Sequence, residues 1–352
     1  MIHYIDEFPG RKIKIDGQEY MYFGGTAYLG LQTNKKFQRL LIANIRKYGT
    51  NYGASRISNI RLAIYEKTEN YLAQLVGSES CITLSSGYLA GQFVRQYFNT
   101  TSFKTFYAPN AHPALQLSEY ESNDTYESLR VAINGYLDEK SDKTPVVFLD
   151  SIDFSGSNFP NFKGLKALPL EKIILVVDDS HGIGVVGEHG GGVFKNLSAL
   201  GAKEIVVCCS LGKGFGIQAG AVFGTKQRIQ SMTGTAFYGG ASPATPANLA
   251  TLLESGAITA KKRKKLDKLL LYFKEHLPKD HIFSSMDGHP AISFSNTELT
   301  EYLERQKIIV TNFPYPNEDS STMSRIVISS AHKKKDLAKL IHLIKTYFSD
   351  QI

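Results

Sequence analysis

Two uninterrupted apolar runs, each ending in chemically active side chains, constrain this chain most. Val206-Val207-Cys208-Cys209 leads into Ser210-Leu211-Gly212-Lys213-Gly214-Phe215-Gly216, and Ile173-Ile174-Leu175-Val176-Val177 leads into Asp178-Asp179-Ser180-His181-Gly182. β-Branched and small apolar residues without polar alternation suit strands covered on both faces, as in parallel sheets. The glycines around Lys213 let the backbone turn tightly and let a ligand approach. Taken alone, G-K-G also describes a surface turn with a solvated lysine. The second run argues against that: neighbouring strands that release an acid, an imidazole and a lysine at their carboxyl ends describe one α/β sheet with a site outside those ends. Partial desolvation there favours the neutral amine, which a Schiff-base lysine needs in order to attack a carbonyl.

With 352 residues, 42% of them apolar, the chain can bury an α/β core and a smaller second domain. No apolar run approaches the roughly 18 residues of a membrane span. The start, Met1-Ile2-His3-Tyr4-Ile5-Asp6-Glu7, lacks a secretory pattern, so a cytoplasmic protein is expected. Cys81, Cys208 and Cys209 sit in strand-like settings without C-x-x-C spacing; they read as core residues, not a disulfide framework or zinc site. The net charge of +7 suits a polyanionic small molecule such as coenzyme A as readily as nucleic acid. Its densest runs, Lys261 to Lys265 and Lys333 to Lys335, fall at apparent helix starts and read as solvated faces.

Asp16-Gly17 marks a type I′ hairpin near the N-terminus. Helical spacing recurs over 35–48 and 62–76. Cys81 to Leu84 is a strand that turns through Ser85-Ser86-Gly87-Tyr88 into a helix, aiming backbone N–H groups and the positive helix end at an anion. The same triplet also serves as a simple N-cap. Gly182, Gly184 and Gly187 spell G-x-G-x-x-G after a strand, the form of a dinucleotide fingerprint. That reading fails because D-D-S-H intervenes and Glu188-His189-Gly190-Gly191-Gly192 stands where a helix is required. A flexible lip over the site is expected instead.

Strand-D-D-S-H-G followed by S-L-G-K-G-F-G resembles the α-oxoamine synthases, a family of pyridoxal-phosphate enzymes, and the resemblance runs from about Tyr22 to the C-terminus. It implies α/β architecture of the fold type I pyridoxal-phosphate-dependent transferases: a mostly parallel seven-stranded large domain over 46–245, a C-terminal small domain over 246–352, and a segment 1–45 joining the latter. Lys213 would carry the cofactor, Asp178 would face its pyridine nitrogen and His181 its phenolic oxygen. His112, in Phe106 to Ala114, would stack on the ring. Ser86, Gly87, Tyr88 and Ser210 would hold the phosphate. Arg325, in Ser324 to His332, would grip the substrate carboxylate through its planar fork.

The chain also departs from the family's pattern. Thr26 stands where the family has a carboxylate-binding asparagine. Gly239 and Gly240 replace hydroxyls that reach the cofactor phosphate of a neighbouring subunit, so only backbone N–H groups remain there; the motif still implies a homodimer with shared sites. Asn51 to Asn59 matches a glycine-rich loop whose last glycine is replaced. Around Asp153 to Pro160 the family's acids have moved or vanished.

The implied reaction joins a small α-amino acid to an acyl thioester, acyl-CoA in the first instance, with decarboxylation to an α-amino ketone. An aminotransferase shares the lysine, the aspartate and the arginine, and stays open as an alternative. A pyridoxal-phosphate-binding regulatory module is a third reading, for which no DNA-binding segment is visible. Neither a nucleic-acid partner nor a membrane span is expected.

Overall fold

The computed structural model describes residues 2–109, 111, 115, 123–139, 141–278, 282–315, 318–320 and 322–350. In chain order the first elements are β1 (Lys12–Ile15), β2 (Gln18–Phe23), α1 (Lys35–Tyr48), α2 (Ile64–Val76), β3 (Ser80–Leu84), α3 (Gly87–Phe98), β4 (Phe103–Tyr107), α4 (Tyr126–Asp138) and β5 (Thr144–Asp150). Next come β6 (Ile174–Asp178), α5 (Phe194–Ser198), β7 (Glu204–Ser210), α6 (Leu211–Gly214), β8 (Gly220–Gly224), α7 (Lys226–Thr233), α8 (Ala236–Gly240) and α9 (Pro246–Glu254). The chain closes with α10 (Gly256–His276), β9 (Phe283–Ser285), β10 (Ala291–Phe294), α11 (Thr297–Arg305), β11 (Ile308–Pro314), β12 (Thr322–Val327) and α12 (Lys334–Ser349).

These elements form two compact units: a larger one, Lys36–Asp153 with Ser157–Gly256, and a smaller one, Met1–Lys35, Phe154–Gly156 and Ala257–Ile352. The divisions fall near 35 and 256, not near 45 and 245, because α1 is tied to α9 and α9 to α2. Tyr65 Oη donates to the Ala244 carbonyl at 2.8 Å, Thr68 Oγ1 to that of Leu249 at 3.4 Å, and Asn44 Nδ2 to Glu254 at 3.1 Å.

In the larger unit the described strands make a six-stranded sheet in the order β3-β8-β7-β6-β5-β4. β4 to β7 are parallel, and β8 runs antiparallel to both β7 and β3. The expected seventh strand has no counterpart among the described residues. β5, β6 and β7 are almost wholly buried, which explains their unbroken apolar character. α3 lays Phe93, Val94 and Phe98 on Val206, Cys208 and Phe148 in one core; each fully buried phenylalanine contributes roughly 2–3 kcal/mol.

The smaller unit is built on a second six-stranded sheet, β1-β2-β11-β12-β10-β9, antiparallel except where β2 meets β11. Its first hairpin turns at Asp16 (φ 49°) and Gly17 (φ 75°); both residues have positive φ, as a type I′ turn requires. Lys261 to Lys265 lie inside α10, not at its start, while Lys333 does precede α12. Among the described residues no helix is long and apolar enough to cross a membrane.

Candidate active site

Strand direction gathers the chemistry of the larger unit. Cα register pairs Asp150 with Asp178, Asp178 with Cys208, Ser210 with Gly220, and Gly220 with Leu84. The segments leaving β3, β6 and β7 therefore emerge along one edge, where α/β sheets bind ligands.

Lys213 Nζ lies 2.8 Å from His181 Nε2. The single turn of α6 presents the lysine and is capped by Ser210, whose Oγ accepts from Gly212 N at 3.3 Å. Ser180 connects the two strand ends: its Oγ accepts from Ser210 N at 2.8 Å, and its own N–H donates to Asp178 Oδ1 at 2.7 Å. Asp178 is buried, and among the described residues no group donates to its Oδ2.

Asp179 supports the loop behind the site. It is 1% exposed; Ser151 Oγ donates to Oδ1 at 2.6 Å and Val193 N to Oδ2 at 3.1 Å. Burial pushes its carboxyl up to about 7, against the pull of those hydrogen bonds. A Cβ on Gly182 or Gly192 would collide with its oxygens, and one on Gly214 would strike the Ile183 carbonyl. Residues 182–192 are therefore a packed bed for the lysine turn, mostly buried, and not the expected flexible lip.

Ser86 caps α3, its Oγ accepting from Leu89 N at 3.1 Å. The N–H groups of Gly87 and Tyr88 lie in the first turn, where no intrahelical acceptor exists. A Cβ on Gly87 would come within 2.6 Å of Ser210 Cα, so only glycine lets the helix start this close to the end of β7. Tyr88 is exposed.

This donor set fits pyridoxal phosphate: an amine with an imidazole partner, a buried carboxylate with an oxygen available for a ring nitrogen, and a helix N-terminus for the phosphate. His112 lies outside the described residues. Gly239 and Gly240 close α8; the Gly239 carbonyl accepts from Ser55 Oγ at 2.6 Å, and its N–H is engaged with the Thr235 carbonyl at 3.3 Å.

Sequence reasoning missed a partly buried ion pair at the same end of the larger unit. Arg56 donates to both oxygens of Glu69, at 2.7 and 2.9 Å, and stacks over the Tyr65 ring at 4.0 Å. Glu69 Oε1 also accepts from the N–H and hydroxyl of Thr83, each at 2.8 Å. This network fixes the glycine-rich loop to the strand that leads into Ser86. The G-A-S-R run was a signal for the arginine; nothing local marked its partner.

In the smaller unit, Arg325 lies on β12 opposite Ser293 and Thr311. Its Nε is buried without a hydrogen-bond partner, and it forms no ion pair among the described residues. Burial lowers its pKa to about 10. Thr26 is half-buried, its carbonyl accepting from Tyr28 N at 2.8 Å.

The chain belongs to the aminotransferase class I and II family, whose profile matches residues 112–344, and it is a pyridoxal-phosphate-dependent enzyme. Within that class the chain is similar to α-oxoamine synthases. The 8-amino-7-oxononanoate synthase of Thermosipho melanesiensis is 24% identical over 360 residues, 96% of this chain and 90% of the relative. That of Hahella chejuensis is 24% identical over 364 residues, covering 97% and 91%. Among solved structures, the serine palmitoyltransferase of Sphingomonas wittichii superposes with a TM-score of 0.82 at 16% identity, covering 98% of this chain and 91% of its own. An 8-amino-7-oxononanoate synthase from Francisella tularensis gives 0.68 at 20% identity over 95% and 99%. These likenesses identify fold type I.

Proposed function

We propose that this enzyme condenses a small α-amino acid with an acyl thioester, acyl-CoA in the first instance, releasing carbon dioxide and the thiol to leave an α-amino ketone. The observation that carries this reading is the 2.8 Å contact between Lys213 Nζ and His181 Nε2 beside buried Asp178, in a chain related along nearly its whole length to 8-amino-7-oxononanoate synthases.

Pyridoxal phosphate, when bound, supplies an electron sink for the pair left at Cα on deprotonation. Lys213 Nζ would hold the cofactor through its aldehyde and would serve as the general base for the substrate Cα proton. His181 orients that nitrogen. Asp178 would keep a proton on the cofactor's pyridine nitrogen. The Gly87 and Tyr88 N–H groups, with the Ser86 and Ser210 hydroxyls, would bind the phosphate, and His112 would serve the ring.

Arg325 binds the amino-acid carboxylate, because a partly buried guanidinium whose Nε lacks a partner favours an anion that offers two oxygens. The Thr26 hydroxyl adds a hydrogen bond. The end of α8 at Gly239 and Gly240 would face the phosphate of a second copy in a cytoplasmic homodimer, without the Gly239 N–H, which is committed to the Thr235 carbonyl.

Incubating the holoenzyme with glycine, L-alanine or L-serine and a series of acyl-CoA thioesters, while following free thiol, tests the reading. Stoichiometric thiol release with carbon dioxide is expected. Accumulation of pyridoxamine phosphate without thiol would replace the synthase with an aminotransferase.

A further inference from the structure

We propose that Phe154 is a positioning residue for Arg325, its ring standing where a counter-ion would otherwise sit, so that the guanidinium stays available to a ligand carboxylate. This rests on the reading of Arg325 given above. The Arg325 guanidinium carbon lies 3.4 Å from the centroid of the Phe154 ring, the closest cation–ring approach among the described residues. A ring face stabilises a cation without consuming its N–H donors, whereas a carboxylate at that place would take the in-plane donors that bind a carboxylate in the two-pronged fashion. The unpartnered, buried Nε of Arg325 and its lack of any ion pair among the described residues are what such an arrangement leaves behind.

The ring is held in place from two sides. Phe154 has φ 57°, a left-handed conformation that an aromatic residue rarely adopts. Strain of this kind collects where the surroundings demand one geometry. Phe154–Gly156 packs as part of the smaller unit although the chain on either side belongs to the larger one. Within the smaller unit the fully buried His289 ring stands edge-on to Phe154, at 5.8 Å and 76°, and to Tyr28, at 5.4 Å and 73°. His289 Nδ1 in turn accepts from Ala291 N at 3.3 Å on β10, the strand paired with that of Arg325.

The test is labelling of the holoenzyme with phenylglyoxal, with Arg325 followed by peptide mass mapping in the presence of glycine, L-alanine or L-serine, whichever protects most strongly. Wild-type Arg325 is protected. Phe154→Leu, which keeps the apolar bulk and loses the π face, raises the half-protecting concentration about 5-fold, while Phe154→Tyr stays within about 2-fold. Phe154→Asp pairs with Arg325 and abolishes protection. Protection of Phe154→Leu at the wild-type concentration overturns the proposal while leaving Arg325 as the carboxylate site. Absence of protection in the wild type by all three amino acids overturns the carboxylate site itself.

Discussion

Gly87 and Ser210 touch backbone to backbone: a Cβ on the glycine would lie 2.6 Å from Ser210 Cα and 2.8 Å from its nitrogen. The mouth of α3 and the end of the strand that presents Lys213 are thereby held in one register.

Gly87→Ala must push these two segments apart, since neither contact is with a flexible side chain. Overpacking of this kind costs about 1–3 kcal/mol. Cofactor affinity, measured by absorbance titration of the apoprotein with pyridoxal phosphate, is expected to fall about 10-fold or more, because a shift of the helix mouth weakens several N–H contacts to the phosphate at once.

Lys213→Ala removes both the point of covalent attachment and the proposed base. Borohydride reduction should label the wild type at Lys213 and leave the variant unlabelled, with turnover reduced by about 10³-fold or more. His181→Asn keeps the lysine but removes its imidazole partner at 2.8 Å. A loss of roughly 10–100-fold in kcat is expected, with labelling at Lys213 preserved.

Asp179 makes stability fall as pH rises. Burial holds its carboxyl near 7 in the folded protein, while in the unfolded chain it ionises near the usual value of about 3.9. From about pH 4 to pH 7 the unfolded state loses its proton first, so folding stability declines across that window and levels off above it. Urea unfolding midpoints between pH 5 and pH 8 should show the decline in the wild type. In Asp179→Asn this contribution is absent, and the profile should be flatter.

Asp336 does the opposite. Arg11 Nε and Nη2 each donate to it at 2.6 Å, and Lys333 N donates at 2.7 Å. Burial alone would raise its pKa, but these donors outweigh it and hold the carboxyl below its ordinary value. The contribution is therefore complete above the ordinary carboxylate range and is lost as pH falls through the lower, folded-state value. Asp336→Asn is expected to cost roughly 2 kcal/mol at pH 7. The difference from the wild type should shrink in unfolding curves taken near pH 3.

Much of the site could be read from the chain because its signals are local. β6 and β7 are written as continuous apolar runs, the α1 boundaries agree with the helical period, and D-D-S-H and G-K-G sit next to the strands that deliver them. What escaped reading depends on volumes and on distant partners. The glycines of 182–192 look like freedom of movement, yet the Asp179 carboxylate occupies the space that side chains at Gly182 and Gly192 would need, and backbone atoms crowd Gly184, Gly187 and Gly191. Phe154 gave no sign of a left-handed backbone, since the usual markers are Gly, Asn and Asp. Arg56 and Glu69 meet across a loop and more than one helix turn, where no periodicity applies. Lys261 to Lys265 read as a helix start because the weak helix formers Gly256 and Thr259 obscure the true beginning of α10.

The three thiols are fully enclosed, and burial raises the pKa of each well above that of a free thiol, so the thiolate that attacks electrophiles is scarce in all of them. A single cysteine introduced on an exposed helix would consequently be the one position to take a maleimide dye, and distance measurements by fluorescence could begin from the natural sequence without first removing any of its own sulfur.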